Sequence, residues 1–465
     1  MKYCYLLFLV FIPAVLFSQL VIIQGEAISY KHDELVVFQY HDFISFNEKE
    51  LARVRVAEDG TFRLMFPLET TGWIYLKAGV FRGILLAEPD SAYQIVLPVK
   101  VEKTIQDILN PFFEEQEFYI TTIPEDPKRL TNQMSEFEFL YNQYLNENFL
   151  EVYQKARRSN IDTVIQNIEK LFSGISSPYF SAHRYYRYAS LKYFAYQRND
   201  KFVIKEYFLH KPVLYSNRAY FDLFNKLFVN YFSFYSETAE GSRLVSDISY
   251  AKSPYRIRQT LSNNLALAND TLRDLVLLKG LHDAFYKTDF PDQALFQITD
   301  SLMVSLKNTQ HTAMLKQIKW KVCQLRKNFP APDLALTDVD GKTRKLSDFK
   351  NKNLYLNFYR YESFTCLKDL ELLKNLYKKI GNQVEIVTIN CGSDFQKVKQ
   401  MFKDEKYEWT LLQLQEANDL EKYKIKAYPS YFFVHSNGTF IFSPSPGPGE
   451  NFEWHSFNYL KSQRK

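Results

Sequence analysis

The chain has 465 residues, of which 46% are hydrophobic and 17% aromatic, a length and composition that predict two to four folded domains rather than a disordered protein. Its 58 Lys and Arg residues nearly balance 53 Asp and Glu, which gives a formal net charge of +5. No block of basic residues could track a phosphate backbone, so we expect no nucleic-acid partner.

The N-terminus has the layout of a secretory signal peptide. One lysine precedes an apolar stretch from Tyr5 to Phe17, which is short for a bilayer span. We expect residues 1–18 to be the signal peptide, cleaved near Ser18, and the mature protein to leave the cytoplasm with no membrane span. An uncleaved anchor is the alternative, because Leu16 is bulkier than the small residue preferred at that place.

Cysteine and histidine usage limits the chemistry. Beyond the signal peptide three cysteines remain, at positions 323, 366 and 391, and an odd number in an oxidising compartment means at least one thiol that is free, intermolecular or catalytic. We expect Cys323 to be structural. The eight histidines never fall at metal-ligand spacing, so neither a metal site nor a cofactor is expected.

Residues 19–103 alternate with period two, as in ELVVFQYHD and FRLMFPL. Asp59-Gly60 between two such runs is a strong hairpin signal, because glycine tolerates the positive φ of a tight turn. The pattern predicts a small antiparallel β-sandwich. From 104 to 327 the period becomes 3.6, as in IDTVIQNIEKLFSGI and QALFQITDSLMVSL, which predicts a central α-helical domain with prolines between its helices.

The segment HRYYRYASLKYFAYQ of this helical region is dense in aromatic and basic residues. Such residues favour binding surfaces, so the segment could line a ligand groove. Helix packing is the simpler interpretation, because aromatic residues at helical spacing usually bury their large apolar area.

The C-terminal residues 328–465 resemble the TlpA- and ResA-type thioredoxin-like family. Their order matches that family: a Pro-Asp entry, a hairpin at Asp340-Gly341, a Leu-Ser-Asp-Phe segment, a buried strand, a long helix, the strand VEIVTIN and final strands with an Asn437-Gly438 turn. The resemblance implies a thioredoxin-like α/β domain. The β-rich region before it is similar to domains that precede thioredoxin-like domains in exported Bacteroidetes-type proteins, which implies the periplasm or cell envelope, with outer-membrane association open.

In this family the active strand continues into Trp-x-x-Trp-Cys-x-x-Cys. Alignment on Asn357 places Glu362 at the second Trp, Ser363 at the first Cys and Cys366 at the second. The resemblance therefore implies a degenerate Ser-x-x-Cys pair. The first cysteine normally attacks as a thiolate whose pKa the helix N-terminus lowers, which a serine hydroxyl cannot do. The second, Cys366, normally only resolves the mixed disulfide.

The resemblance also implies the substrate-binding positions. Tyr428 and Pro429 match the cis-proline loop that faces the redox pair and holds the backbone of a bound substrate, although the turn of the fold alone could require that proline. Glu362, Phe364 and Thr365 would form the remaining surface that a partner approaches. All five are predicted binding residues.

Two functions follow. The first is a non-catalytic module of the cell envelope that binds an exported protein or peptide. The alternative is a thiol-disulfide oxidoreductase that acts through Cys366, with Cys391 or an external thiol as resolver, because Cys391 follows a neighbouring buried strand at the edge where ligands bind α/β sheets. A peroxidase is the weakest interpretation, since the proline and spacing of a peroxidatic motif are missing around Cys366.

Overall fold

The structure is a computed structural model that describes residues 19–462 except 125, 149–157, 196–199, 350 and 417–418. The expected signal peptide, residues 1–18, lies outside the described residues. The chain forms two compact units. One consists of the residues up to Val101 with Glu115–Ile318, and the other of Glu102–Glu114 with Lys319–Lys465.

The first unit begins with two sheets. Their strands are β1 (Leu20–Glu26), β2 (Glu34–Tyr40), β3 (Glu48–Arg55), β4 (Thr61–Pro67), β5 (Gly72–Ala78), β6 (Phe81–Ala87), β7 (Ala92–Val96) and β8 (Gln116–Tyr119). One sheet has the order β4-β1-β7 and the other the order β3-β2-β5-β6-β8. A 3₁₀ turn, Ile28–Tyr30, follows β1, and Gly60 makes the β3–β4 turn with φ +83°.

The alternation expected from the sequence sets the core of these sheets. On β4, Phe62, Leu64 and Phe66 are buried while the residues between them are exposed, and they share one hydrophobic core with Val37 of β2 and Leu76 of β5. Both sheets therefore bury residues in the same core.

Two features of these sheets differ from the expectation. The pairs β1·β7 and β6·β8 are parallel, not antiparallel, because each joins strands that are distant in sequence and not linked by a tight turn. Strand β8 also lies within the stretch expected to be helical. It has only four residues, too few for a periodic signal.

Helices follow from residue 105 to residue 323. They are α1 (Ile105–Leu109), α2 (Leu130–Glu147), α3 (Arg158–Phe172), α4 (Pro178–Ala195), α5 (Asp200–Tyr207), α6 (Arg218–Leu227), α7 (Tyr231–Ser236), α8 (Leu244–Ser249), α9 (Pro254–Ser262), α10 (Asp270–Ala284), α11 (Asp292–Ser305) and α12 (Thr309–Cys323), with a 3₁₀ turn at Leu265–Leu267. Prolines mark helix starts as expected, with Pro254 at the first position of α9 and Pro291 capping α11.

A second core joins the helices to the five-stranded sheet. Phe38, Trp73 and Tyr75 of the sheet pack with Phe137 of α2 and Phe180 of α4, among other buried residues. Within the aromatic segment of α4, Tyr186, Tyr188 and Tyr193 are buried, whereas Tyr185 is 37% exposed.

The second unit has the thioredoxin-like arrangement predicted for the C-terminal residues. It contains β9 (Ala335–Asp338), β10 (Thr343–Lys345), β11 (Asn353–Tyr359), α13 (Phe364–Ile380), β12 (Val384–Asn390), α14 (Phe395–Asp404), β13 (Thr410–Leu414), α15 (Asp419–Lys422), β14 (Ser430–Val434), β15 (Phe440–Phe442) and α16 (Phe452–Ser462), with a 3₁₀ turn at Leu346–Asp348. The seven strands form one sheet in the order β10-β9-β13-β12-β11-β14-β15.

Strand β11 lies within this sheet, parallel to β12 and antiparallel to β14. Its residues alternate between two cores. Tyr355 and Tyr359 pack on one face with α13, and Leu354, Leu356 and Phe358 pack on the other face. This alternation decides on which face each candidate site residue lies.

Candidate functional site

The candidate site lies where β11 ends and α13 begins. Ser363 is the N-cap of α13, with φ −91° and ψ 115°, and its Oγ accepts a hydrogen bond from the backbone N–H of Cys366 at 3.4 Å. Serine is a preferred N-cap because its short side chain reaches an unpaired N–H of the first turn. At the position implied for the attacking cysteine, the chain therefore carries a helix cap.

Cys366 lies in the first turn of α13 and is fully buried, with 0% of its surface exposed. Burial raises the pKa of its thiol above the ordinary 9.0, and hydrogen bonds to Arg360 and Ser363 offset this only in part. The thiol is free, but it is protonated at neutral pH. A buried, protonated thiol is a poor nucleophile.

The Tyr428–Pro429 loop lies against the start of α13. Its Tyr428–Pro429 peptide bond is cis, and the Ser363 hydroxyl donates to the Tyr428 carbonyl oxygen at 3.3 Å. The structure thus brings Ser363, Cys366 and Tyr428 together. The serine hydroxyl joins helix and loop by accepting one hydrogen bond and donating another.

Cys391 lies on the other face of the sheet. It follows β12 and packs with Ile389 and Phe358 in the core of the face opposite α13, whereas Cys366 packs in the core beneath α13. Its Sγ donates to the Ile389 carbonyl at 3.4 Å, and burial raises the pKa of its thiol to about 12. Neither cysteine is in a disulfide.

The remaining predicted binding residues differ in exposure. Phe364, the first residue of α13, is 80% exposed, Thr365 is also exposed, and Pro429 is half-buried. An aromatic side chain that is exposed beside a loop is available to a partner. Glu362 instead turns inward, because its side chain is 22% exposed and one carboxylate oxygen is buried without a partner among the described residues.

Arg360 organises this edge of the sheet, although no sequence motif singles it out. Its guanidinium lies 3.8 Å from the Glu362 carboxylate, donates to the Cys391 carbonyl at 3.1 Å and stacks over the Tyr428 ring at 5.5 Å. The sequence did offer a signal, since a charged residue directly follows a buried strand there.

A neutral polar group, the Asn357 amide, lies beneath the site. Asn357 is buried and donates from Nδ2 to the Thr388 hydroxyl at 3.3 Å, which also accepts from the Trp409 indole N–H at 2.9 Å. An amide does not ionise, so it cannot take up a proton from a neighbouring thiol. Among the described residues no group of His, Cys, Asp or Glu side chains could hold a metal ion.

Comparisons with known proteins support a thioredoxin-like domain at the C-terminal end. Residues 328–442 match the AhpC/TSA family model. The chain is 30% identical over 112 residues to the thiol-disulfide oxidoreductase ResA of Bacillus subtilis (strain 168), covering 24% of this chain and 63% of that protein. It is 29% identical over 111 residues to ResA of Geobacillus kaustophilus, covering 23% and 63%. The chain thus spans 63% of the length of these relatives.

Solved structures of the same kind are also similar. A putative thiol-disulfide oxidoreductase from Bacteroides vulgatus matches with 19% identity and a TM-score of 0.28, covering 29% of this chain and 97% of that one. A putative thiol:disulfide interchange protein DsbE from Chlorobium tepidum matches with 20% identity and a TM-score of 0.27, covering 29% and 96%. By its motif order, by the family model and by the ResA relatives, the C-terminal part of this chain is similar to the TlpA- and ResA-type thioredoxin-like family.

Proposed function

We propose that the thioredoxin-like domain is a binding module without dithiol turnover, and that its ligand is an exported protein or peptide. One observation carries the proposal. The position of the attacking cysteine holds Ser363, whose hydroxyl caps α13 and donates to the Tyr428 carbonyl, and the only other cysteine of that motif, Cys366, is fully buried.

The chemistry of a dithiol cycle requires a thiolate that can reach a substrate disulfide. A serine hydroxyl neither ionises near neutral pH nor forms a disulfide. Cys366 could supply sulfur, but burial raises the pKa of its thiol and removes it from solvent. The site therefore lacks an attacking group while it keeps the helix start and the loop beside it.

The exposed surface supports binding. Phe364 extends into solvent directly after Ser363, and the half-buried Pro429 lies in the loop that contacts Ser363. A large exposed aromatic beside a fixed loop suits an extended peptide, whose side chain would cover the ring.

A turnover assay tests the loss of catalysis. We expect reduction of insulin by dithiothreitol in the presence of the wild-type chain to be no faster than with Cys366→Ala. The positive control is Ser363→Cys, which restores a thiol at the helix N-terminus and should accelerate the reaction. Wild-type turnover above that of Cys366→Ala would refute the proposal.

A binding assay tests the surface. Peptides selected from a random library on the folded chain should bind Phe364→Asp at least about tenfold more weakly. The substitution removes the aromatic ring that a bound peptide would cover. Phe457→Asp is the matched control, since Phe457 of α16 is also exposed, at 60%. Equal loss in both variants, or loss in neither, would contradict a site at Phe364.

The second candidate is thiol chemistry through Cys366, with Cys391 or an external thiol as resolver. The observation in its favour is that both thiols are free and that Tyr428 packs against the cores of both. Mild oxidation followed by peptide mass spectrometry distinguishes it. A Cys366–Cys391 link or a modified Cys366 in the folded chain would support this candidate, and two unmodified thiols would leave it without a mechanism.

We further propose the finer organisation. Residues 19–103 would be a β-sandwich, supported by the core that both sheets share, and 104–327 a helical domain before the thioredoxin-like domain at 328–465. The protein would be exported by its signal peptide to the periplasm or cell envelope. No helix of the described residues is long and apolar enough to span a membrane. Cell fractionation with N-terminal sequencing of the mature chain tests both export and the cleavage near Ser18.

A further inference from the structure

The first unit contains a cavity of about 270 Å³ lined by the five-stranded sheet and by α2, α4 and α6. At its inner end Trp73, Glu138 and His183 are 5%, 4% and 2% exposed. At its outer end the side chains of Arg218 and Asp222 are about one-third exposed, at 31% and 35%. The cavity therefore has a buried floor and a charged mouth.

The floor is built from a fixed ion-pair network. His183 Nε2 lies 2.6 Å from Glu138 Oε1, and Arg187 donates to Glu138 Oε2 at 2.8 Å and to Asn142 at 3.2 Å. Although burial raises the pKa of Glu138, Arg187 and His183 lower it to about 2. This carboxylate is therefore ionised and already paired, which leaves it no role as a ligand for a further cation.

The floor still has unpaired polar atoms. Within the described part of the chain, Trp73 Nε1, His183 Nδ1 and Arg187 Nε are buried and have no hydrogen-bond partner. Buried polar groups in native proteins are nearly always paired, by the protein, by water or by a ligand. Since Trp73 and Arg187 present N–H donors, a molecule that enters this end must carry an acceptor oxygen.

The mouth presents two opposite charges side by side. Arg218 Nε lies 4.0 Å from Asp222 Oδ2, beyond hydrogen-bond distance, and Nη1 makes only a long 3.4 Å contact with the Tyr75 hydroxyl. A guanidinium held in this way keeps N–H donors along its edge that can bind a carboxylate through two hydrogen bonds. Asp222 suits an ammonium group, and the second carboxylate at the mouth, Glu117, is 46% exposed and lies 3.9 Å from the Arg82 guanidinium.

We propose that this cavity binds a free α-amino acid with a polar side chain. Its carboxylate would pair with Arg218, its ammonium with Asp222, and the acceptor oxygen of its side chain with Trp73 and Arg187. The carboxylate and the ammonium of an α-amino acid are attached to the same carbon atom, which matches the close spacing of Arg218 and Asp222. The cavity is also smaller than sites for drug-sized ligands, which begin at about 300 Å³.

A simple anion fits less well, because the two carboxylates at the mouth offset its attraction to Arg218. A metal ion fits less well too, because Glu138 is engaged by Arg187 and His183. This amino-acid site would be independent of the thioredoxin-like site. His183 and Arg187, from the aromatic and basic segment of α4, would then help to form it.

Isothermal titration calorimetry of the full chain with each common L-amino acid tests this inference. Acetate, which has only the carboxylate, and methylamine, which has only the amino group, are titrated for comparison. We expect saturable binding of at least one polar amino acid. Arg218→Gln and Asp222→Asn should each weaken it about tenfold or more, because each removes a charge-assisted pair. The matched control is Arg256→Gln, an exposed arginine of α9, which should bind as the wild type does.

Circular dichroism verifies that each variant is folded. If Arg218→Gln is not, Asp222→Asn, at a side chain that is 35% exposed, carries the test alone. The proposal is overturned if no amino acid binds, if both mouth variants bind as the wild type does, or if acetate binds as tightly as any amino acid. A cavity that holds only water would give the first of these results.

Discussion

Replacing Ser363 with alanine removes both hydrogen bonds of a nearly buried hydroxyl, which is 7% exposed. Loss of the N-cap bond to the Cys366 N–H costs about 1 kcal/mol. Loss of the bond to the Tyr428 carbonyl adds about 0.5–1 kcal/mol. Both bonds are long, at 3.4 and 3.3 Å, so we expect a total of about 1–2 kcal/mol.

Hydrogen exchange with peptide mass spectrometry measures this change, because the two-unit chain is not expected to unfold in a single transition. Amides in the first turns of α13 should exchange about 5–30 times faster in Ser363→Ala. The matched control is Ser393→Ala, at an exposed serine, which should leave exchange in α13 unchanged. Unchanged exchange in Ser363→Ala as well would show that the hydroxyl stabilises neither helix nor loop.

Three further outcomes are expected. Glu138→Gln should destabilise the helices around it by about 3 kcal/mol, measured as faster hydrogen exchange in α2 and α4, because it leaves Arg187 without its buried counter-charge, whereas Glu136→Gln, at an exposed position of the same helix, should not. Since the pKa of Glu138 is lowered from 4.5 to about 2, its stabilisation should be complete above about pH 4.5 and should disappear as the pH falls towards 2. Gly280→Ala should destabilise despite a helix-propensity gain of about 1 kcal/mol, because the new Cβ would lie 2.3 Å from the buried Phe232 ring, an overlap that costs about 1–3 kcal/mol.

Much of the fold could be read from periodicity. The strand runs of residues 20–96 and the helices from α2 to α11 follow patterns of period 2 and 3.6, because burial on one face imposes those patterns on the sequence. Short elements could not be predicted in this way, because a few residues do not complete a periodic pattern. Strand β8 is too brief to repeat a pattern, and its partner β6 is distant in sequence.

Within the candidate site, the sequence itself determined which groups can ionise. Ser363 stands at the position implied for an ionisable thiol whatever the packing, and motif order alone placed it at the start of a helix. The pairing of the Ser363 hydroxyl with Tyr428 and the contacts of Arg360 needed the structure, because they join residues that are distant along the chain.

Only the tertiary structure decided what the remaining polar residues do. It placed Cys366 of α13 and Cys391 after β12 in cores on opposite faces of one sheet, because α13 covers only one of those faces. It also gathered Trp73, His183 and Arg218 from a strand and two helices around one cavity. Trp73 precedes the other two by more than a hundred residues, and no local pattern encodes a contact that only the packing of distant elements creates.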